Sequence, residues 1–273
     1  MKIKNTIPFI ILFITSTALC STQEDKYHEG LHAYEEGNCE KAVSIFTELS
    51  SAGIANATNQ LGFLYASSKC GKPNYKKAIG LYEKASRQGS GLASYNMAAL
   101  YLTGKGVPKS YSKALPLLKS SASTGVPNAL YDLGVIYMNG HGTKIDYSKA
   151  IPLFKEASKH SIPNAYYNLG VMHERGMGVQ INLEEANKYY KLAADLGHTN
   201  AMFNMAGLYL DTKHGEMNPD YAINLYKKAA ESDHQPSINV LYIIYTGKHY
   251  NTDNIELGDK YKALLHGTQI SNN

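Results

Sequence analysis

The chain predicts an all-α fold, a right-handed α/α solenoid of about seven helical hairpins. Three registers of small residues carry that prediction. Ala57, Ala93, Ala129, Ala165 and Ala201 open equivalent frames 36 residues apart, with a weakened start at Ser237. Ala42, Ala78, Ala114, Ala150, Ala186 and Ala222 repeat at the same spacing, and so do Gly53, Gly89, Gly125, Ser161 and Gly197. A fixed period of this length marks an array in which each unit buries its apolar face by stacking on its neighbours.

The N-terminus reads as an export signal over residues 1–20. Lys2 and Lys4 supply a basic start, Ile7 to Ile14 an apolar core interrupted by Pro8, and Thr15 to Ala18 a run of small residues before the polar Ser21–Asp25 segment. The apolar run is far short of the roughly 20 residues that span a bilayer, so no stable membrane span is expected once it is removed. The implied location is periplasmic or secreted. Lipid attachment at Cys20 is the minor alternative, because Leu19 and Thr17 stand where that chemistry wants a small residue and a leucine.

Residues 21–56 form a capping hairpin. Tyr27, Gly30, Leu31 and Tyr34 share one helix face, Glu36-Gly37-Asn38 makes the turn, and Ala42, Ile45, Phe46 and Leu49 mark the second helix. Five repeats fill 57–236. In each first helix a small residue (Gly62, Ala98, Gly134, Gly170, Ala206) admits the partner helix at close range. Glycine pairs such as Gly104/Gly106, Gly140/Gly142 and Gly176/Gly178 then end that helix, and Ser110, Asp146 and Asn182 stand as N-caps of the next. Pro116 and Pro152 fall inside second helices, where a kink is expected. Residues 237–273 hold a degenerate repeat, with faces Ile238/Leu241/Tyr242/Tyr245 and Leu257/Tyr261/Leu264/Leu265, and a polar tail from Gly267. The fifth repeat departs at Thr212–Glu216, which replaces the Gly-x-Gly turn.

The units follow Ala-x-x-Asn-Leu-Gly-x-x-Tyr, Gly-x-Gly-Val, and Lys-Ala-x-x-x-Tyr-x-x-Ala-Ala-x-x-Gly. The fit is closest at Ala165–Gly170, Gly176–Val179 and Ala193–Gly197. This pattern resembles the Sel-one-like repeat (SLR) family within the tetratricopeptide-repeat superfamily. The resemblance implies a binding scaffold whose partner is another protein, either a regulatory target or a toxic effector. An exported scaffold or regulator is the first reading, a periplasmic immunity protein neutralising a toxin the alternative, and a β-lactamase-like envelope hydrolase a distant third.

In related solenoids the first helices line the concave binding surface. The third position of each then reads Asn59, Tyr95, Tyr131, Tyr167, Phe203 and Asn239. Such a stripe either grips a partner, since aromatics offer large contact area at low entropy cost, or packs between adjacent helices. Met138 lies farther along the same face, and Glu174 and Arg175 break its apolar pattern, which makes them specificity candidates. The ladder Gln60, Asn96, Asp132, Asn168 and Asn204 reads as hydrogen bonding between repeats.

Composition excludes other classes. A net charge of +4 over 273 residues, with no Lys/Arg run, is too balanced for a nucleic-acid binder. No His-Glu-x-x-His or Cys-x-x-Cys pattern suggests a metal, no cofactor is implied, and the ten histidines are scattered. Ser110-x-x-Lys113 stands without the companion motifs of penicillin-binding enzymes, so the chain reads as a non-enzyme. After signal removal Cys39 and Cys70 remain, in adjacent units. They are either a disulfide closing a loop of about 30 residues or two separate thiols.

Overall fold

The computed structural model describes residues 9–210, 217–247 and 255–265, with side chains described for 22–210, 217–247 and 256–265. The basic start at Lys2 and Lys4, the Thr212–Glu216 departure and the tail from Gly267 lie outside the described residues, and the Cys20 side chain lies outside the described side chains. The described chain is all helical and divides into two compact units, 1–129 with 141–143, and 130–140 with 144–273.

Unit 1 holds three hairpins: α1 (Phe9–Glu35) with α2 (Cys39–Ser51), α3 (Ala55–Ala66) with α4 (Tyr75–Arg87), and α5 (Gly91–Thr103) with α6 (Tyr111–Ser123). Unit 2 takes α7 (Pro127–Asn139) from Leu130 onward. It continues with α8 (Tyr147–Ser158), α9 (Pro163–Arg175) and α10 (Leu183–Asp195), α11 (Thr199–Leu210) and α12 (Pro219–Ala230), and α13 (Gln235–Thr246) and α14 (Ile255–Leu265). The second helices α2, α4, α10 and α12 each pack both on their own first helix and on the first helix of the next hairpin. That two-sided packing is what makes the chain an α/α solenoid. No helix of the described residues is long and apolar enough to cross a membrane.

Local chemistry fixes where each helix starts and stops. Asn38, Asn74, Ser110, Asp146, Asn182 and Asn218 all accept the N–H three residues on, capping α2, α4, α6, α8, α10 and α12. This satisfies one of the orphan donors at each helix start. First helices α5 and α9 end on Gly104 and Gly176, with φ of 74° and 67°, a conformation in which a Cβ is penalised. Helices α6 and α8 continue through Pro116 and Pro152. Each proline sits in the sixth position, so the loss is one bond close to the N-terminus.

The interior is built on one contact repeated along the chain. A Cβ added at Gly30, Gly62, Gly134 or Gly170 would come within 3.0 Å of the ring of Phe46, Tyr82, Phe154 or Tyr190. Glycine in these first helices therefore makes room for an aromatic from the second. The rings it admits are all but excluded from solvent, with Tyr190 and Phe154 at 0% exposure. Ala98 and Ala206 hold the equivalent positions, opposite Leu118 and Tyr226 in the repeat register.

In unit 1 the first hairpin packs Ala33, Ile45, Phe46 and Leu49 against Leu61 and Leu64 of α3. Cys39, the first residue of α2, is bonded to Cys70 in the 3₁₀ turn Ser68–Cys70 that follows α3, with Cα atoms 5.5 Å apart. The two lie 31 residues apart in sequence.

Candidate partner-binding face on the first helices of unit 2

Residues i, i+4 and i+7 of a helix fall on one stripe. On α7 these are Tyr131, Val135 and Met138; on α9, Tyr167, Val171 and Glu174; on α11, Phe203, Gly207 and Leu210. All but Gly207, which is exposed, are half-buried.

The inner side of each ring is fastened to its own hairpin. Tyr131 lies 5.9 Å from Phe154, Tyr167 lies 5.9 Å from Tyr190, and Phe203 meets Tyr226 edge-on at 5.4 Å. Two of the rings also touch the next repeat. His198 stacks on Tyr167 at 4.6 Å with an interplanar angle of 18°, and His234 lies against Phe203 at 5.5 Å. Part of each aromatic is thus packing surface, and the remainder faces outward. In unit 1 the corresponding Tyr95 is half-buried on α5.

Polar side chains tie repeat to repeat within each unit. Asn96 donates to Asn59 at 2.9 Å, Asn168 is hydrogen-bonded to the Tyr131 hydroxyl, and Asn204 donates to the Tyr190 hydroxyl at 3.1 Å. Burial pushes the Tyr131 and Tyr190 phenols up, so both stay protonated at neutral pH. Tyr190 passes its own proton into a hydrogen bond with the Glu174 carboxylate. Arg175, the last residue of α9, is exposed.

His198 and His234 are not legible as site residues in the sequence, although their 36-residue spacing and their place before a first helix are the available signals. Nδ1 of His198 accepts the Ala201 N–H at 3.1 Å, and Nδ1 of His234 accepts the Ser237 N–H at 3.3 Å. These are N-caps that require an unprotonated Nδ1, which puts the ring proton on Nε2; that of His234 faces Asn200 Oδ1 at 2.8 Å. Burial lowers both pKa values, and that of His173 as well, where the ring stacks on Tyr189. A base whose folded pKa is depressed binds fewer protons folded than unfolded. The stability it contributes is therefore full above the unfolded value near 6.5 and is lost as pH falls below it. Urea midpoints of the wild type are expected to drop from pH 7.5 to pH 5. A His198→Asn/His234→Asn variant keeps capping side chains that do not titrate, and its drop should be visibly smaller.

The serine of the Ser-x-x-Lys match is accounted for by architecture. Ser110 Oγ accepts the Lys113 N–H as the cap of α6, and the Lys113 ammonium lies over the Tyr101 ring at 5.5 Å. Among the described residues no group of three or more His, Cys, Asp or Glu side chains is placed to hold a metal ion.

The Sel1 repeat model matches residues 55–90, 91–125, 127–161, 163–198 and 199–234. Among solved structures the chain is similar to a Sel1 repeat protein from Oxalobacter formigenes, at 24% identity over 88% of this chain and 99% of that one, with a TM-score of 0.78. It is also similar to c5321, a protective antigen present in uropathogenic Escherichia coli strains and displaying an SLR fold. That match has 21% identity over 94% of this chain and a TM-score of 0.79, and this chain spans 56% of the length of c5321. The immunity protein PA5088 from Pseudomonas aeruginosa matches at 22% identity over 78% of this chain and 80% of that one, with a TM-score of 0.49. No curated protein matches.

Proposed function

This chain belongs to the Sel1 repeat family, and on that premise we propose that it is an exported scaffold that binds another protein across the first helices of its repeats. One observation carries the reading. On successive first helices of unit 2, the stripes Tyr131/Val135/Met138, Tyr167/Val171 and Phe203/Gly207 leave apolar side chains half-exposed in register. Rows of partly exposed aromatics and aliphatics mark interaction sites rather than ordinary solvated surface. Tyr95 holds the equivalent position of α5 within unit 1 and is a contact candidate there, while Arg175 borders the stripes of unit 2.

Export is supported by the basic-then-apolar start of the sequence and by the Cys39–Cys70 bond, which persists in oxidising compartments. Affinity capture from the periplasm or medium of the producing cell tests the binding role, comparing wild type with a Tyr95→Ala/Tyr131→Ala/Tyr167→Ala variant. Circular dichroism must show that the variant folds, because Tyr131 and Tyr167 also pack on Phe154 and Tyr190. A partner held by the wild type and released by the folded variant supports the reading. A partner held equally by both moves the site off this face.

A further inference from the structure

Glu174 stands where the other four repeats carry Ala66, Leu102, Met138 and Leu210. It is the penultimate residue of α9, close to the negative end of the helix dipole, where a carboxylate is disfavoured. Its presence there does nothing for the helix. It is nonetheless held in one place: the hydroxyl of the fully buried Tyr190 donates to Oε2, and Asn204 of the next repeat supports that hydroxyl from behind. Oε1 is left over, on a half-buried side chain one turn from Val171 and two from Tyr167. No lysine, arginine or histidine of the described residues forms an ion pair with it. In a protein of net charge +4, the helices α7, α9, α11 and α13 carry two carboxylates, Asp132 and Glu174, and Arg175 as their one lysine or arginine.

We propose that Glu174 anchors a lysine or arginine side chain of the partner polypeptide, whose flanking apolar residues lie on Tyr167, Val171 and Phe203. The inference rests on the binding role proposed above for the same face and names the chemistry that face selects. A carboxylate fixed by a buried phenol costs little ordering entropy when the cation arrives, since its geometry is already set. With Oε2 engaged by Tyr190, the free Oε1 suits a single N–H donor, an ammonium or one arm of a guanidinium. The surrounding rings thin the water around the pair, which strengthens the attraction above that of an exposed ion pair.

The test is a selection of random dodecapeptides displayed on phage against the folded protein, followed by affinities of the synthesised winners. The winners are expected to share a lysine or arginine next to apolar residues and to bind Glu174→Gln roughly tenfold more weakly. The amide oxygen of the introduced glutamine still accepts the Tyr190 hydrogen bond, so the variant should fold, which an unchanged thermal midpoint verifies. Replacing the peptide's basic residue by methionine should cost the wild type the same factor and the Glu174→Gln variant nothing further, the signature of a direct pair. Tyr190→Phe, which releases the carboxylate, should lose a smaller part of the affinity. Winners that weaken on Gly207→Arg but ignore Glu174→Gln would overturn the charged anchor and leave the face standing. Winners that ignore both would overturn the face as well.

Discussion

Replacing Gly170 by valine is expected to destabilise unit 2 by about 3 kcal/mol, at the upper end for overpacking a close-fitting core. Its Cβ alone would sit 2.6 Å from both Cδ1 and Cε1 of the Tyr190 ring, which is fully buried. Displacing that ring would also part Tyr190 from Glu174 and Asn204. Gly207 is the internal control. It too lies within a first helix, yet nothing approaches a Cβ built there within 4 Å. Gly207→Ala should therefore gain about 1 kcal/mol from helix propensity alone. Gly80→Ala in α4, equally open, should act in the same direction. Urea denaturation followed by far-ultraviolet circular dichroism reads both signs, and a valine at 170 without cost would mean that the helices are farther apart than described.

The second large effect concerns Cys39 and Cys70. Closing a loop of 31 residues removes chain entropy from the unfolded state worth about 3–4 kcal/mol. The bond fastens the start of α2 to the turn after α3, so it ties the first hairpin to the second. A Cys39→Ser/Cys70→Ser variant should unfold at distinctly lower urea, and reductant should bring the wild type to the same midpoint. A wild type indifferent to reductant would show that its thiols are unpaired in solution.

Much of this architecture can be read from the chain because each repeat spells out its own hairpin. Ser110, Asp146 and Asn182 announce the caps they form, Gly104 and Gly176 end the helices they follow, and Gly62, Gly134 and Gly170 mark helix approaches that the structure fills with aromatic rings. The asparagine ladder likewise does bind repeat to repeat, through Asn96, Asn168 and Asn204. Other features depend on what meets across a repeat boundary, which spacing does not encode. Periodicity places Tyr190 in a second helix; it cannot show that its hydroxyl reaches Glu174. The histidines at 198 and 234 stand where Ser90 caps α5, but the stacking on Tyr167 and Phe203 appears only in three dimensions. The pairing of Cys39 with Cys70 is equally a matter of reach. Pro116 and Pro152 lie inside helices that continue past them, each giving up one intrahelical hydrogen bond.

The claim that partners bind on the first-helix face is tested most directly by one affinity. Gly207 lies exposed on that face, between Phe203 and Leu210, and nothing among the described residues lies within 4 Å of a Cβ built there. Gly207→Arg therefore adds bulk and charge to the proposed binding surface from a position whose Cβ is unobstructed. Titrating the captured partner by calorimetry into wild type and variant of equal thermal stability should show a loss of about tenfold or more. Equal affinity for the two would contradict the account and place the partner on another surface.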